Sequence, residues 1–579
     1  MRFILIIFSL FINTFAREII PPWWEIEGPT PKNETLSYFI ALKQNNISFL
    51  ESKINLISNP KSNFYGKYMN KKEILDIISP DKLKINSIYN FVNYNNSCIN
   101  GIDYIKCNTK IYYIEKIFNI KIFNFRNIIN NQIHKAAFGK KVSIPNLIYN
   151  DIDFVLGLSE FPYIKNNKIN KKIDQNGYIS AYSLKRLYNI SDSNKIKSLG
   201  TQAVAEFQND HCINNTDLNN FEKENNLPEI SLQKKNIIGI CNTSTDMPDV
   251  EASLDLQFQM GVNPTINQMY VSVSQWQYDF AVTMFNLTNP PLVNSISWGW
   301  AESQQCEKDV FSSCYISVDP EIYSKRVNIE FMKLSLRGIT LISSSGDAGS
   351  PSRINEDCTS LQKLNPIFPT SSPWVTSVGG TIVMNPVIEN NTKKDLPNIC
   401  KKYPCIIDGT QLNCNFDRCS WTSGGGFSNF FERPWWQVNF VDKYLNESKL
   451  LPPQKYFNKY GRAYPDVALV AHNYLVEVGG STTIVDGTSA SAPSFSGMIA
   501  KLNNIRLSKG KSPLGAIGPL LYQMAKECHN CFIDITTGSN NSTEYGNCKY
   551  GYSASKGFDP VYGLGLPNFG MIVNYINKY

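Results

Sequence analysis

Histidine is scarce in this sequence, with four residues in a chain of 579. His211 lies in a polar, asparagine-rich stretch, His472 follows an apolar run, and His529 lies between two cysteines. His134 belongs to an N-terminal region of different composition. We expect each of them to be a surface or structural residue, so few imidazoles remain as candidates for a general base.

Two further absences narrow the class of protein. The formal charge of +7 comes from lysines scattered among asparagines, without a basic stripe, which argues against a nucleic-acid partner. After residue 16, no run approaches the roughly 18 apolar residues of a membrane helix. We therefore expect no nucleic-acid partner and no membrane span.

The first sixteen residues, MRFILIIFSLFINTFA, are typical of a secretory signal peptide. Arg2 is the positive end, residues 3–12 are the apolar stretch, and Thr14 and Ala16 are the small residues before a cleavage site. Sequons beginning at Asn33, Asn189 and Asn446 permit glycosylation. We therefore expect a soluble mature chain in a secretory compartment.

Fourteen cysteines, an even number, fit an oxidising compartment. Spacing alone does not fix their connectivity, but four close pairs allow local disulfides: Cys98/Cys107, Cys306/Cys314, Cys400/Cys405 and Cys414/Cys419. The segment Cys528-His529-Asn530-Cys531 has the spacing of half a zinc site, but no second pair accompanies it.

The composition changes at a polar, basic stretch, NNKINKK, which is predicted to be an exposed linker. Before it the chain is rich in asparagine, lysine and isoleucine; after it, short β-branched runs alternate with helical stretches and glycine-rich turns. That alternation predicts an α/β domain on a mainly parallel sheet. The strand candidates lie at 292–300, 338–349, 374–384 and 466–471. This organisation indicates a secreted zymogen.

The segment VDGTSASAPSFSGMIA, at 485–500, has the features of a nucleophile loop. Small residues surround Ser489, so other groups could approach its hydroxyl, and the following run predicts a buried helix. A subtilisin-type triad would pair this serine with a histidine oriented by an aspartate. None of the four histidines begins a small-residue helix beside glycine, as that base would. We therefore expect a carboxylate base.

The best candidate base lies in DMPDVEASLDLQFQMG, at 246–261, where Glu251 and Asp255 are four residues apart. Apolar residues alternate there as in a strand, whereas Asp246 as a cap and Gly261 as a stop favour a helix. On a helix the two carboxylates would lie about 5–6 Å apart and could share a proton. On a strand they would be about 13 Å apart. Taken alone, the segment favours an exposed acidic face.

A third carboxylate, Asp347, follows the strand candidate GITLISSS in the turn SGDAGS. The carboxyl ends of parallel strands are where sites form in such sheets. By itself this residue is typical of a turn aspartate.

Together these segments resemble the sedolisins, the serine-carboxyl peptidases, over almost the whole chain. The matching motifs are EASLDLQ (251–257), SISWG (295–299), SSSGDAG (343–349), FPTSSPWVTSVGGT (368–381), SGGGFS (423–428), YPDVA (464–468), GTSASAP (487–493) and GFDPVYGLGLPN (557–568). VLGLSEFP, at 155–162, is similar to the end of the family's propeptide. The resemblance implies a subtilisin-like α/β fold preceded by a ferredoxin-like α+β prodomain. It divides the chain into a signal peptide (1–16), a propeptide domain (17–165), an activation linker (166–176) and a peptidase domain (177–579).

The resemblance also implies roles for individual residues. Ser489 would be the nucleophile, Glu251 the general base and Asp255 its partner, and Asp347 would be an oxyanion-hole donor that acts only when protonated. The implied substrate-binding residues are Ser297, Trp298, Gly299, Ser423, Gly424 and Gly425. One Ca²⁺ would bind at Asp534, Ile535, Ser555, Gly557 and Asp559. Ser555 stands where glycine is common in the family, although its position would contribute only a carbonyl.

The function implied is an acid-active peptidase that releases tripeptides from free N-termini of peptides or unfolded proteins. Its own propeptide would be an intramolecular inhibitor, and the enzyme would be a monomer in a lysosome-like or vacuole-like acidic compartment, or secreted. The alternatives are an endopeptidase of the same family and a catalytically silent binding protein on this scaffold. The intact set of Glu251, Asp255, Asp347 and Ser489 argues against the silent protein.

Overall fold

The computed structural model describes residues 20, 23–129, 131–139, 142–161, 177–191, 198–208, 212–245, 248–305, 319–355, 358, 363–448 and 450–578. The predicted signal peptide (1–16) and activation linker (166–176) lie outside these residues, as do Asp246, His211, Cys306 and Cys314. The described residues form an N-terminal α+β unit and a larger α/β unit.

The N-terminal unit combines strands with short helices. Its elements are β1 (Trp24–Pro29), β2 (Thr35–Leu42), α1 (Ile47–Ser58), α2 (Lys71–Ile78), α3 (Lys82–Val92), β3 (Cys98–Asn100), β4 (Tyr104–Lys110), α4 (Ile111–Phe118), β5 (Ile122–Asn127), β6 (Ile133–Ala137), α5 (Asn146–Tyr149) and β7 (Ile152–Leu156).

Four of these strands form an antiparallel sheet in the order β3-β4-β2-β7. Helices α1 to α3 connect β2 to β3, and the chain from β4 to β7 contains α4, so the elements follow the βαββαβ plan of a ferredoxin-like fold. Strands β1, β5 and β6 form a second, three-stranded sheet. The prediction of a ferredoxin-like N-terminal unit is confirmed.

The larger unit alternates strands and helices over 177–578. Its elements are α6 (Ala181–Leu187), β8 (Thr201–Phe207), α7 (Asn215–Glu224), β9 (Ile237–Gly239), α8 (Val250–Val262), β10 (Asn267–Val273), α9 (Gln277–Asn286), β11 (Val293–Ile296), β12 (Trp300–Ala301), α10 (Pro320–Leu336), β13 (Thr340–Ser344), β14 (Ile367–Phe368), β15 (Val375–Ile388), α11 (Asn398–Lys402), β16 (Ile406–Asn413), α12 (Phe416–Cys419), β17 (Gly426–Glu432), α13 (Val438–Glu447), β18 (Gly461–Tyr464), β19 (Val467–Val470), β20 (Tyr474–Val478), β21 (Ser481–Val485), α14 (Thr488–Ser508), α15 (Gly518–Glu527), β22 (Phe532–Ile533), β23 (Leu566–Pro567) and α16 (Phe569–Ile576).

A mainly parallel sheet is the centre of this unit. Its strands lie in the order β16-β15-β13-β11-β8-β10-β9, and β19 also pairs with the long strand β15. Neighbouring strands are parallel except β16, which is antiparallel to β15. The four predicted strand segments are β11, β13, β15 and β19, and their apolar runs are buried, as expected when helices cover both faces. The predicted α/β fold is therefore confirmed.

Strand β2 contributes to the cores of both units, because its successive side chains point to opposite faces of the sheet. Tyr38 and Ile40 point into a core within the N-terminal unit, whereas Phe39 and Ala41 join the large core of the α/β unit. The ring of Phe39 lies edge-on to Tyr278 of α9, with centroids 6.0 Å apart. The peptidase-side helices therefore cover the second face of the N-terminal sheet.

Charged side chains are also buried between the two units, on α10. Arg326 donates to the backbone oxygen of Leu42 at 2.7 Å and to Asp153 at 3.0 Å. Lys333 donates to Asp103 at 2.5 Å, and Glu330 pairs with both Arg326 and Lys333. We call Asp103, Arg326, Glu330 and Lys333 the interface ion cluster; each is at most 2% exposed.

Disulfides join distant as well as neighbouring segments of the described chain. Cys98–Cys107, Cys400–Cys405 and Cys414–Cys419 confirm three predicted local pairs, and the fourth lies outside the described residues. Cys528 and Cys531 are bonded to each other, so they are not zinc ligands here. The pairs Cys212–Cys241 and Cys358–Cys548 are not evident from spacing.

Of the helices described, none is long and apolar enough to cross a membrane.

Candidate active site

Ser489 lies at the start of α14, directly after a turn in which position 487 fits only glycine easily. Gly487 precedes the helix with φ of 131°, and a β-carbon there would lie 3.2 Å from a carboxylate oxygen of Asp347. The helix is buried over almost its whole length, as predicted. Ser489 is 7% exposed and lines a cleft. Its backbone N–H belongs to the first turn, where the helix leaves N–H groups without helical partners.

Asp347 faces this turn from the carboxyl end of β13. Its Oδ1 accepts from both the backbone N–H and the hydroxyl of Thr488, each at 2.8 Å. The Thr488 hydroxyl in turn accepts from the N–H of Gly346 at 3.1 Å. The strand-end aspartate predicted from sequence therefore contacts the residue next to Ser489.

Glu251 and Asp255 lie on helix α8, which settles the choice between helix and strand. The helix begins after Asp249, whose side chain accepts from the N–H of Ala252, and Gly261 is in its last turn. On a helix, side chains four residues apart lie about 5–6 Å apart. Glu251 is 7% exposed and Asp255 is fully buried, so the pair is not on an exposed acidic face.

Helices α8 and α14 lie side by side and point the same way. α8 connects the parallel strands β9 and β10, so it runs opposite to them and begins at their carboxyl edge. α14 begins beside Asp347, at the same edge. The amide of Gln259 donates to the hydroxyl of Ser496 at 2.6 Å, and Gly497 permits close approach.

That contact sets the relative level of the two helix starts. Glu251 precedes Gln259 by eight residues, and Ser489 precedes Ser496 by seven. At about 1.5 Å per residue, both starts are therefore roughly 10–12 Å from the contact, on the same side. Glu251, Asp255 and Ser489 share one end of this helix pair.

A small cleft opens to solvent in front of Ser489. Ser297 and Gly299, two of the predicted substrate-binding residues, line it, and the Ser297 hydroxyl donates to the Ser489 carbonyl at 3.4 Å. Trp298 lies between them but turns its indole N–H to Glu206, at 2.6 Å. The other residues that line the cleft are Trp300, Ala301, Gln304, Ser344, Gly346, Asp347, Ala348, Gly349, Ser352, Arg353 and Ile367.

The glycine-rich segment Ser423–Gly424–Gly425 supports Asp347 from behind. Ser423 accepts from the N–H of Gly380 at 2.8 Å, and the N–H of Gly424 donates to the carbonyl of Gly346 at 2.7 Å. All three residues are buried and are not among those that line the cleft. Their role as substrate-binding residues stays a prediction.

Several contacts in and around the cleft were not predicted from the sequence. Thr488 lies in the motif GTSASAP, but neither composition nor spacing indicates that it bonds twice to Asp347. Arg353 pairs with Glu544 at 2.8 Å, across 191 residues. Glu302 follows β12 and accepts from the hydroxyl of Ser428 and the N–H of Asn429, so it joins β12 to β17. Burial raises the pKa of Glu302 to about 7.

Among the described residues, no histidine lines the cleft of Ser489. His134 lies in β6, and its ring nitrogen contacts the carbonyl of Glu160 at 2.5 Å. His529 is exposed between its two cysteines. His472 pairs with Asp486 at 2.8 Å, close to but outside the cleft lining.

The predicted calcium ligands lie in two loops near the C-terminus. Asp534 follows β22 and accepts from the N–H of Gly557 at 2.8 Å, whereas Asp559 accepts from the N–H of Ser555 at 2.9 Å. Asp559 is fully buried; burial raises its pKa to about 8, and Asp534 adds to the rise. Each of these two carboxylates disfavours the charge of the other, and the loops also offer backbone carbonyl oxygens. Such a set of oxygen ligands suits a hard cation such as Ca²⁺.

Comparisons with known proteins agree with this architecture. Residues 22–161 match the family model of the pro-kumamolisin activation domain. The chain is 35% identical to physarolisin of Physarum polycephalum, an alignment that covers 100% of this chain and 99% of that relative. It is 30% identical to tripeptidyl-peptidase 1 of Homo sapiens, covering 96% of this chain and 93% of the relative.

Among solved structures, Pseudomonas sedolisin, a serine-carboxyl proteinase in complex with two molecules of pseudo-iodotyrostatin, superimposes with a TM-score of 0.51. It is 20% identical and covers 70% of this chain and 99% of its own, so it supports the fold alone. The full-length identities support the family. The chain therefore belongs to the sedolisins, the serine-carboxyl peptidases, and carries an activation domain ahead of its subtilisin-like peptidase fold.

Proposed function

We propose that this protein is an acid-active peptidase whose acyl-enzyme forms on Ser489. The observation that supports the proposal is the Gln259–Ser496 contact, which aligns α8 and α14 so that Glu251, Asp255 and Ser489 lie on the same side of it, while Asp347 bonds to Thr488 at the same sheet edge. The enzyme would be made as a secretory zymogen and work in an acidic lysosome-like or vacuole-like compartment, or after secretion.

In the proposed reaction, Ser489 Oγ attacks the scissile carbonyl carbon and gives its proton to Glu251. The tetrahedral intermediate collapses when the C–N bond breaks and Glu251 returns that proton to the leaving amine. Water then attacks the ester carbonyl and loses a proton to Glu251. The acyl C–O bond breaks, Glu251 returns this proton to Ser489 Oγ, and the acid product leaves. Asp255, fully buried beside Glu251, would share a proton with it and strengthen the base.

Asp347 would stabilise the oxyanion as a neutral carboxylic acid. The backbone N–H of Ser489, in the first turn of α14, would be a second donor. Loss of one such donor typically costs about 2.7–4 kcal/mol of transition-state stabilisation. Because Asp347 can donate only when it is protonated, this role requires acid.

Two substitutions test the assignment of nucleophile and base. Ser489→Ala removes the attacking oxygen and Glu251→Gln removes the proton acceptor, so each should abolish peptide hydrolysis and autocatalytic removal of the activation domain. Electrophoresis of acidified zymogen and a peptide assay measure both effects. Asp395→Asn, an exposed aspartate outside the cleft, is the matched control. Normal maturation and turnover by either active-site variant would contradict the proposal.

We propose release of tripeptides from free N-termini as the specific activity, with internal cleavage as the alternative. The 30% identity to tripeptidyl-peptidase 1 supports the first, while the open cleft does not distinguish them. A long peptide, with and without an N-acetyl group, separates the two activities. Tripeptides should appear only from the unblocked form; efficient cutting of the blocked peptide would identify an endopeptidase.

Ca²⁺ would bind Asp534 and Asp559 through carboxylate oxygens and Ile535, Ser555 and Gly557 through their carbonyls. When bound, the ion supplies a fixed positive charge that neutralises the two carboxylates. These residues would hold together the loops that follow β22 and precede β23. The site lies apart from the proposed chemistry, so its role would be structural.

The activation domain would inhibit the peptidase within the same molecule. The described residues that line the cleft all belong to 177–579, so the activation domain does not line it there. Its contacts with the peptidase unit include α9 and α10, through Phe39 and the interface ion cluster. We propose that the enzyme is a monomer and that this domain leaves after cleavage in the linker (166–176).

A further inference from the structure

The turn that carries Ser489 is tied to the end of β19 by Asp486. One carboxylate oxygen of Asp486 accepts from the backbone N–H of Asn473 at 2.6 Å. The other lies 2.8 Å from Nδ1 of His472, as an ion pair. The N–H of Gly487 donates to the carbonyl of Ala471 at 2.9 Å. Three contacts therefore join the two backbone segments.

These contacts close the base of the β20–β21 hairpin. Tyr474 and Val485 are its first cross-strand pair, so 471–473 lead into the hairpin and 486–487 lead out of it. Ser489 is three residues beyond Asp486. Asp347 holds Thr488 on the cleft side. The turn at 486–488, which precedes Ser489, is thus held by two carboxylates: Asp347 in the cleft and Asp486 outside it.

The pair is largely shielded from water. The side chain of His472 is 13% exposed and that of Asp486 is 9% exposed. The Cys414–Cys419 disulfide lies within 4.8 Å of the imidazole. Asp417 and Arg418 line the same open cavity, but Arg418 donates to Asn413 at 3.2 Å and Asp417 accepts from Asn547 at 3.2 Å.

We propose that His472 is a positioning residue for Ser489, acting through its ion pair with Asp486. A cationic imidazole would form a nearly buried ion pair with Asp486 and fix the turn that presents the serine hydroxyl. His472 takes no proton from Ser489 in this role. The inference rests on the proposed function of Ser489 and adds a residue that acts only on geometry.

Neutralising either partner should lower kcat and leave KM nearly unchanged. A nucleophile misplaced by a fraction of an ångström to 1 Å loses on the order of 10- to 100-fold in rate. We therefore expect about that loss in kcat for His472→Gln and for Asp486→Asn at acidic pH, with KM within about twofold. The double variant should be no worse than either single variant, because both remove the same interaction.

A lysine at this position separates charge from structure. His472→Lys keeps a cation at every pH and should retain most of the kcat lost in His472→Gln. His529→Gln, the same change at an exposed histidine, is the matched control and should match the native enzyme.

The experiment measures kcat and KM from pH 3.5 to 7.5 on acid-matured enzymes, together with melting temperatures in a Ser489→Ala background. A kcat of His472→Gln within twofold of native, or a double variant whose losses multiply, would overturn the inference. Failure of both His472→Gln and His472→Lys to fold would also overturn it, since that assigns a purely structural role. If Ser489→Ala remains active, the proposed function fails instead, whatever the His472 variants do.

Discussion

At the scale of single residues, Thr488 occupies one oxygen of Asp347 and leaves the other available for the proposed oxyanion role. Its N–H and hydroxyl both donate to Oδ1, so that oxygen is the poorer place for a proton. In the proposed oxyanion role, Oδ2 would therefore be the oxygen of Asp347 that donates to substrate. The carboxyl side chain would then serve two partners at once, the helix start on one oxygen and the substrate on the other.

An amide at position 347 tests whether the two oxygens of Asp347 have these separate roles. In Asp347→Asn, the carbonyl oxygen can still accept from Thr488 while the NH₂ group donates at every pH. We expect hydrolysis by this variant to fall less steeply from pH 5 to pH 7.5 than hydrolysis by the native enzyme. Asp347→Ala should lose about 10²–10³-fold in kcat. An optimum at or above pH 7.5 for the native enzyme, or an unchanged alkaline limb in the variant, would contradict the role.

At the scale of elements, helix α8 explains why its sequence pattern is ambiguous. Nearly every residue from Glu251 to Val262 is buried, so no solvent face requires polar residues at helical spacing. Alternation of apolar and polar side chains is then compatible with a helix whose polar groups bond inward. Gln259, for example, bonds the backbone of β8 and Ser496. The helix boundaries were predictable from cap and stop residues, with Asp249 rather than Asp246 as the observed cap.

Helix α10 carries the interface ion cluster, and its charge balance predicts how acid affects the zymogen. Burial opposes the charge on Asp103, but Lys333 and Arg326 outweigh it and lower its pKa. A carboxylate with a lowered pKa stabilises the folded state above the ordinary aspartate range, about 3.9, and loses that effect as pH falls further. The cluster should therefore remain intact in mild acid.

Substitution of Asp103 should loosen the activation domain. Asp103→Asn removes one of the carboxylates that neutralise the buried Lys333 and Arg326, and loss of one partner of a buried ion pair typically costs about 3–5 kcal/mol. Urea unfolding in a Ser489→Ala background, which prevents self-cleavage, measures the loss. The difference from the parent should be constant from pH 5 to 7 and shrink below about pH 4.

The matched control is Asp76→Asn, which removes the exposed Lys72–Asp76 pair on α2. An exposed ion pair contributes about 0–1 kcal/mol, so this variant should resemble the parent. A loss in Asp103→Asn no larger than in the control would show that the cluster does not hold the domain.

At the scale of the whole molecule, the predicted calcium site links folding to metal concentration. A ligand that binds only the folded state stabilises it by about 2.7 kcal/mol at 100 times its dissociation constant. Millimolar Ca²⁺ should therefore raise the melting temperature, and EGTA should lower it. Asp559→Asn should abolish this response, whereas Asp395→Asn should retain it. A native melting temperature that is independent of calcium would contradict the site.

Much of the fold and of the site could be predicted because the sequence signals for them are local. The parallel strands appear as continuous apolar runs, and Asp347 and Ser489 lie where strand ends and helix starts predict them. Contacts between distant segments were not predictable. The Cys358–Cys548 disulfide spans 190 residues, and the buried position of Ser423–Gly425 depends on Gly346 and Gly380. Neither leaves a pattern within its own segment.

The double-faced burial of strand β2 has a consequence for the activated enzyme. While the chain is intact, Phe39 and Ala41 meet α9 within one molecule, so the contact does not depend on protein concentration. Once the linker is cut, the same buried surface becomes the interface of a two-component complex, and its occupancy follows mass action. Dilution then favours the free peptidase, and proteolysis of the released domain has the same effect. A crowded compartment instead favours recapture.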